Sequence, residues 1–150
     1  MTNAASNVLA FIRAVLTGSF AAAAPGLLAT VPLGVVLLFD LDDPMGGLRA
    51  FPIMFAPLII AFPCVLAGSF LVGIPATLVL GAMGKELGQY YVALGTLFGA
   101  LPFVVIAILF AEDAPGTVAA LSALGALGGG VTGWVWGRHR DRLRETGPHA

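Results

Sequence analysis

The sequence predicts an all-α membrane protein that crosses the bilayer four times, as two tandem helical hairpins. The 150 residues are 59% hydrophobic and only 10% charged, whereas a soluble domain carries about 25% charged residues. The apolar residues form four runs, each long enough to cross the hydrocarbon core of a bilayer as a helix. Basic residues collect in alternate connections between these runs, as in a multi-pass membrane protein.

Residues 1–18 form a short N-terminal segment before the first run. Its apolar residues recur at helical spacing: Val8, Phe11, Ile12 and Val15. This spacing predicts an amphipathic helix that lies in the cytoplasmic membrane interface, and Gly18 is expected to end it. The residues leave a second interpretation open, in which 6–18 extends the first span.

The transmembrane domain is predicted over 19–137. Its four spans are expected at about 19–39, 53–80, 90–110 and 115–136. None of these runs contains Asp, Glu, Lys, Arg or His. Because backbone groups in lipid must find hydrogen-bond partners within the segment, each run is expected to form a helix.

Taken from Ala50 to Leu80, the second run is longer than one span needs, and three prolines lie in its outer half: Pro52, Pro57 and Pro63. Proline kinks or breaks a helix because it lacks the N–H group and its ring clashes with the preceding turn. We therefore expect either a kinked span or a short outer segment, with the true span beginning near Phe62.

The charges predict the orientation of the chain. Six basic residues lie in the N-terminal, central and C-terminal segments: Arg13, Lys85, Arg138, Arg140, Arg142 and Arg144. The other two connections hold Arg49 as their one basic residue, with the acids Asp40, Asp42, Asp43, Glu112 and Asp113. The positive-inside rule then places both termini in the cytoplasm. Aromatic residues that favour the headgroup region fall on the same side: Tyr90, Tyr91, Trp134 and Trp136.

The two predicted hairpins resemble each other in the order of their residues. Spans one and three end in similarly spaced Pro, Phe, Asp and Pro, and spans two and four end in small residues at every fourth position. Tandem duplication explains this likeness, and so does a composition shared by membrane helices. The compact chain and its six Arg to one Lys favour a bacterial-type inner (plasma) membrane.

Glycine and other small residues recur four apart and so share one helix face, as in the GxxxG pattern. The predicted packing residues are Gly125, Gly129, Gly133 and Gly137 in span four, Gly18, Gly26 and Gly34 around span one, and Gly95 and Gly99 in span three. Such faces let another helix approach closely. Two interpretations follow. The faces pack within one four-helix monomer, or one of them faces outward and forms a homo-oligomer or docks a larger membrane complex.

The segment 138–150 forms a basic cytoplasmic tail. Its four arginines are candidates for binding lipid headgroups: Arg138, Arg140, Arg142 and Arg144. Basic clusters next to a membrane attract anionic lipid. The alternative is that these residues serve only to fix the topology. Membrane lipid is thus an expected partner, and a net charge of −1 gives no reason to expect nucleic acid.

The residues carry no pattern typical of an enzyme, a cofactor or a metal. GxSxG, HExxH, P-loop and CxxC motifs are absent. The acidic segment 40–47 lacks EF-hand spacing, and His139 and His149 are isolated. Cys64 lies in an apolar run and is expected to be a small core residue.

Two functions remain as hypotheses. The first is a non-enzymatic accessory or assembly protein that packs through its glycine-rich helix faces. The alternative is a small channel or carrier for neutral or weakly polar solutes, which the proline-rich spans suggest because they can expose backbone carbonyl groups. The uncharged spans argue against ion-coupled transport, which uses ionisable groups within the membrane.

Overall fold

The structure is a computed structural model that describes residues 4–39, 45–84, 87–110 and 115–145. Its helices are α1 (Ala4–Leu38), α2 (Gly46–Gly68), α3 (Ile74–Ala82), α4 (Gly88–Phe110) and α5 (Pro115–Glu145). A π-helical turn, Ser69–Gly73, joins α2 to α3 without a break, and the three together are called the α2–α3 helix. The described residues therefore form four long helices, each long and apolar enough to cross a membrane. This confirms the predicted all-α class and the number of helices.

Several residues used in the sequence analysis lie outside the described residues. They are the acidic residues Asp40, Asp42, Asp43, Glu112 and Asp113, together with Lys85 and His149. The acidic segment 40–47 is described only from Met45 onward.

α1 is one continuous helix, and the break expected at Gly18 is wrong. Residues 6–18 extend the helix of the first span, which is the second interpretation given above. Gly18 is buried, and a Cβ atom there would overlap the Thr132 hydroxyl of α5. This glycine therefore permits a close approach between two helices rather than a turn.

Of the two arrangements expected for the second run, a kinked span or a short outer segment, the short outer segment is wrong. α2 continues through Pro52, Pro57 and Pro63 with no separate outer segment before Phe62. The irregularity lies further on, in the π-helical turn, where the N–H group of Ile74 donates to the carbonyl oxygen of Ser69, five residues earlier. Pro75 follows directly. Since its ring would clash with the carbonyl four residues back in an α-helix, the wider turn gives it room.

Neighbouring helices run antiparallel, as their contacts establish. α1 packs on α2 and on α5, and α4 packs on α5. The pairs that meet are Gly26 with Pro57 and Gly34 with Met54 for α1 and α2, Gly18 with Thr132 for α1 and α5, and Gly88 with Gly137 and Gly99 with Gly125 for α4 and α5. The α2–α3 helix and α4 touch only slightly, so the bundle is open along that side.

One end of the bundle collects both ends of the described chain. α1 begins there, α3 ends, α4 begins and α5 ends. The contacts that establish this are Asn7 with His139, Thr77 with Trp136, and Gly88 with Asp141. We call it the polar end, because Arg138, Arg140, Arg142 and Arg144 all lie on the last turns of α5.

The interior is thin and built from small residues. In the described part, the buried apolar side chains are Ala14, Val15, Ala23, Ala50 and Tyr91, while large apolar side chains are exposed along all four helices. The chain exposes 9865 Å², against about 7,100 Å² for a compact soluble protein of its size. Large apolar side chains exposed along all four long helices fit a multi-pass membrane protein, whose solvent is lipid.

Ser19 tests how tightly the buried side of α1 is packed. It is 0% exposed, and its hydroxyl donates to the carbonyl oxygen of Val15 in the same helix at 2.8 Å. We expect Ser19→Leu to lower the free energy of unfolding by about 1–3 kcal/mol, because an overpacked interface must shift. Thermal unfolding in detergent measures this. Ser19→Ala is the control and should be nearly neutral, since it keeps the volume small; equal stability of the two variants would contradict the packing.

Candidate functional site

α4 and α5 approach each other so closely that backbone meets backbone. A Cβ atom at Gly95 would overlap the carbonyl oxygen of Gly129, and one at Gly129 would overlap that of Gly95. Gly99 and Gly125 stand in the same reciprocal relation. No side chain other than hydrogen fits at these positions, so the two helices touch through their main chains.

The same contact line continues toward the polar end. A Cβ atom at Gly133 would overlap the carbonyl oxygen of Tyr91, and one at Gly137 would lie 2.8 Å from the Cα atom of Gly88. We call this line the α4–α5 seam: Gly88, Gly95 and Gly99 of α4 with Gly125, Gly129, Gly133 and Gly137 of α5. The groove predicted on span four is therefore filled by α4 of the same chain.

The predicted glycines of α1 also lie at contacts within the chain. Gly18 meets Thr132 and the carbonyl oxygen of Gly128 on α5. Gly26 meets Pro57, and Gly34 meets Met54 on α2. Each helix of the bundle thus approaches its neighbour at a glycine, and α1 does so on two sides.

Sequence reasoning missed two glycines beside the predicted groove. A Cβ atom at Gly128 would lie 2.8 Å from the Cβ atom of Ala22 on α1, and one at Gly130 would lie 2.7 Å from the hydroxyl of Thr96 on α4. α5 is packed by α1 on one side and by α4 on another, so adjacent positions must both be small. The run of three glycines at 128–130 was the signal.

Most hydroxyl groups in the described helices donate to carbonyl oxygens of their own helix. The pairs are Thr17 with Arg13, Ser19 with Val15, Ser69 with Val65, Thr77 with Gly73, and Thr132 with Gly128. Thr30 bonds in its own helix and also donates to the carbonyl oxygen of Met54 on α2, at 3.0 Å. The protons of these hydroxyls are therefore used in hydrogen bonds to backbone carbonyl oxygens.

An aromatic cluster of Phe11, Phe70 and Trp136 joins three helices at the polar end. The Phe11 ring centroid lies 5.3 Å from that of Phe70 in the π-helical turn and 6.2 Å from that of Trp136 on α5. The indole Nε1–H of Trp136 donates to the hydroxyl of Thr77 at 3.1 Å. This bond fixes α3, which otherwise makes few close contacts with other helices.

His139 lies beside the aromatic cluster, with its Nε2 atom 3.0 Å from Oδ1 of Asn7 on α1. Burial, and then the positive charges of Arg140 and Arg142, lower the pKa of His139. Its imidazole is therefore neutral at pH 7 and links α1 to α5 as an uncharged polar group. In the part of the chain that the structure describes, no three His, Cys, Asp or Glu side chains come together as metal ligands.

The four predicted headgroup arginines have different surroundings. The guanidinium of Arg138 lies 4.8 Å from the centroid of the Trp134 ring, and Arg142 is exposed one turn further along α5. Arg140 is half-buried. Arg144 lines a shallow pocket at the start of α4 with Leu87, Gly88 and Gln89. The structure thus brings Arg138 and Arg142 to one shallow pocket and places Arg140 and Arg144 in other surroundings.

Asp141 connects the basic tail to α4. Its Oδ1 atom accepts a hydrogen bond of 3.1 Å from the backbone N–H of Gly88, the first residue of α4. A carboxylate at a helix N-terminus satisfies a free N–H group and interacts favourably with the helix dipole. The last turns of α5 therefore help to hold the start of α4.

Cys64 is exposed on α2, so its expected place as a core residue is wrong. Gly68, one turn further along the same helix, is also open, since a Cβ atom there would meet nothing within 4 Å. This part of the α2–α3 helix faces away from the other described helices.

Comparison with models of protein families, with curated proteins and with solved structures found no match. The geometry of this chain is therefore the guide to its function. That geometry offers closely packed helices, an uncovered part of the α2–α3 helix, and a polar end with aromatic and basic side chains.

The α4–α5 seam gives a direct test by substitution. Gly129→Ala adds one methyl group against the carbonyl oxygen of Gly95, and we expect it to lower the free energy of unfolding by about 1–3 kcal/mol or more, because backbone must move. Gly116→Ala is the matched control, since nothing lies within 4 Å of a Cβ atom there. Unfolding in mixed detergent measures both variants. A Gly129→Ala protein as stable as the control would rule out main-chain contact at the seam.

Proposed function

We propose that this chain is a non-enzymatic subunit of a membrane assembly, and that it meets another transmembrane helix on an outward face of the α2–α3 helix. We call this the open face: Cys64, Ala67, Gly68 and Leu71, all of which are exposed. The observation that carries the proposal is the open space around Gly68. This residue is a glycine in the middle of an apolar helix with no neighbour within 4 Å of an added Cβ atom.

The contrast with the other glycines supports this proposal. Those of the α4–α5 seam, and Gly18, Gly26 and Gly34 of α1, have a neighbour that explains the missing side chain. Glycine at position 68 lowers the helix propensity of the α2–α3 helix, yet no other described helix packs against it. Small residues in transmembrane helices are typical of helix–helix interfaces, because they let two backbones approach.

The arrangement of the helices supports it as well. The bundle is open between the α2–α3 helix and α4, and α2 packs mainly on α1. Another helix can therefore lie against the α2–α3 helix without displacing one that is already there. The partner is a second copy of this chain or a helix of a larger membrane complex.

We place assembly ahead of the alternative, a channel or carrier for neutral or weakly polar solutes. Three of the prolines that motivate the alternative lie within continuous α-helices: Pro32, Pro63 and Pro102. The hydroxyls that would line a path donate to carbonyl oxygens of the helices.

We also propose the threading of the chain: two tandem hairpins in a bacterial-type inner membrane, with both termini in the cytoplasm. The support is that the N-terminal part of α1 and the arginine-rich end of α5 share the polar end, where Trp134 and Arg138 are exposed. Basic residues are retained on the cytoplasmic side, and Trp rings favour the headgroup region.

Reporter fusions test this threading. With green fluorescent protein fused after Ala150 and expressed in bacteria, we expect fluorescence, because this reporter folds in the cytoplasm. Alkaline phosphatase fused at the same position should be inactive, because it needs the periplasm to form its disulfides. An active phosphatase fusion with a dark fluorescent fusion would contradict the orientation.

Gly68 tests the assembly itself. We expect Gly68→Leu to weaken the complex at least tenfold, because the side chain would hold the two helices apart, while the stability of the isolated chain stays unchanged. Native mass spectrometry after gentle affinity purification from the native membrane measures the complex. Gly116→Leu is the matched control, since it adds the same side chain at another open glycine. A wild-type chain that is always monomeric, or a Gly68→Leu complex as abundant as that of the control, would refute the proposal.

A further inference from the structure

Three side chains at the polar end of α5 lie four residues apart and therefore share one helix face: Trp134, Arg138 and Arg142. All three are exposed, and Trp134 is 51% exposed despite its large apolar ring. The Arg138 guanidinium lies over this ring, 4.8 Å from its centroid. We call this group the Trp–Arg face.

The Trp–Arg face has the chemistry to bind a phosphate group at the membrane surface. A guanidinium stacked on an aromatic ring keeps its N–H edge available, and that edge matches two phosphate oxygens at once. Trp rings lie at the depth of lipid headgroups. Arg142, one turn further from the apolar part of α5, extends the positive face away from the hydrocarbon.

Two acidic residues lie near the Trp–Arg face, and the described end of α5 keeps a positive balance, because four arginines accompany these two acids. Asp141 and Glu145 line a shallow pocket with Arg138 and Arg142. The Asp141 carboxylate already accepts the hydrogen bond from the N–H group of Gly88 on α4. Glu145 lies at the far end of the described tail, one turn beyond Arg142 and furthest from the Trp134 ring.

The remaining two arginines of the tail lie elsewhere. Arg140 is half-buried beside His139, whose pKa its charge lowers. Arg144 lines the pocket at the start of α4. The four arginines are therefore not equivalent, although the sequence presents them as one cluster.

We infer that the Trp–Arg face binds the phosphate group of an anionic phospholipid from the surrounding leaflet, with Arg138 and Arg142 as its ligands and Trp134 as the platform for Arg138. The lipid would fix the depth of α5 in the membrane, and with it Asp141 and the start of α4. This inference does not depend on the proposed assembly, because the Trp–Arg face lies on α5 and the open face on the α2–α3 helix.

Lipid titration followed by native mass spectrometry tests the inference on the full chain in detergent. The probes are phosphatidylglycerol, which is anionic, and phosphatidylcholine, which is zwitterionic. We expect the wild type to retain phosphatidylglycerol preferentially. Arg138→Gln and Arg142→Gln should each weaken that binding about fivefold, as for one basic residue at an anionic surface. Trp134→Leu should weaken it too, because it removes the platform and keeps an apolar side chain.

Arg144→Gln is the matched control, since it makes the same change in charge on the same tail. It should alter phosphatidylglycerol binding less than twofold, and thermal unfolding should show that all variants remain folded. The inference is overturned if Arg144→Gln weakens binding as much as Arg138→Gln, which would mean a diffuse charge effect. It is also overturned if the wild type does not distinguish the two lipids, or if millimolar inorganic phosphate displaces the bound lipid.

Discussion

The main-chain contact between α4 and α5 is the interaction on which the rest of the fold depends. In lipid, apolar surfaces gain little by leaving the solvent, because lipid tails are as apolar as the side chains. Helices then associate through close packing and weak Cα–H···O contacts, which need backbones to approach. The glycines of the α4–α5 seam provide that approach over the first half of α4, from Gly88 to Gly99. The large apolar side chains are left to face lipid, which explains why the described interior contains so little beyond alanine, glycine and serine.

The polar end connects this packing to the outer helices. Asp141 holds the start of α4, Trp136 holds α3 through Thr77, and Phe11 packs against both Trp136 and the π-helical turn. α5 thus contacts every other helix, and its residues supply most of the bonds between them. A change in the depth or tilt of α5 would therefore displace its contacts with α1, α3 and α4 together. Contacts between the membrane surface and the basic, aromatic end of α5 would therefore influence the packing of the whole bundle.

The sequence predicted the helices well because their cause is local. A run of apolar residues without charge must hydrogen-bond to itself in lipid, and this is visible in composition. What a glycine does is decided by its neighbours in space, so Gly18 was expected to end a helix and instead packs on Thr132. Likewise, the irregularity of the second run was predicted at the three prolines in its outer half. The structure places it in the π-helical turn just before Pro75. The glycine spacing identified one face of α5. The packing of Gly128 against α1 and the exposure of Cys64 on α2 depend on where the other helices lie, which the spacing does not show.

The most direct measurement is a solid-state NMR carbon–carbon correlation in lipid bilayers, between the carbonyl of labelled tyrosine and the α-carbon of labelled glycine. The chain has two tyrosines, and Gly133 lies against the carbonyl group of Tyr91. The account predicts a cross-peak between Tyr91 and Gly133 that persists when labelled chains are diluted into unlabelled ones, because the contact lies within one chain. Absence of the cross-peak, or its loss on dilution, would mean that the glycine groove of α5 does not hold α4 of its own chain.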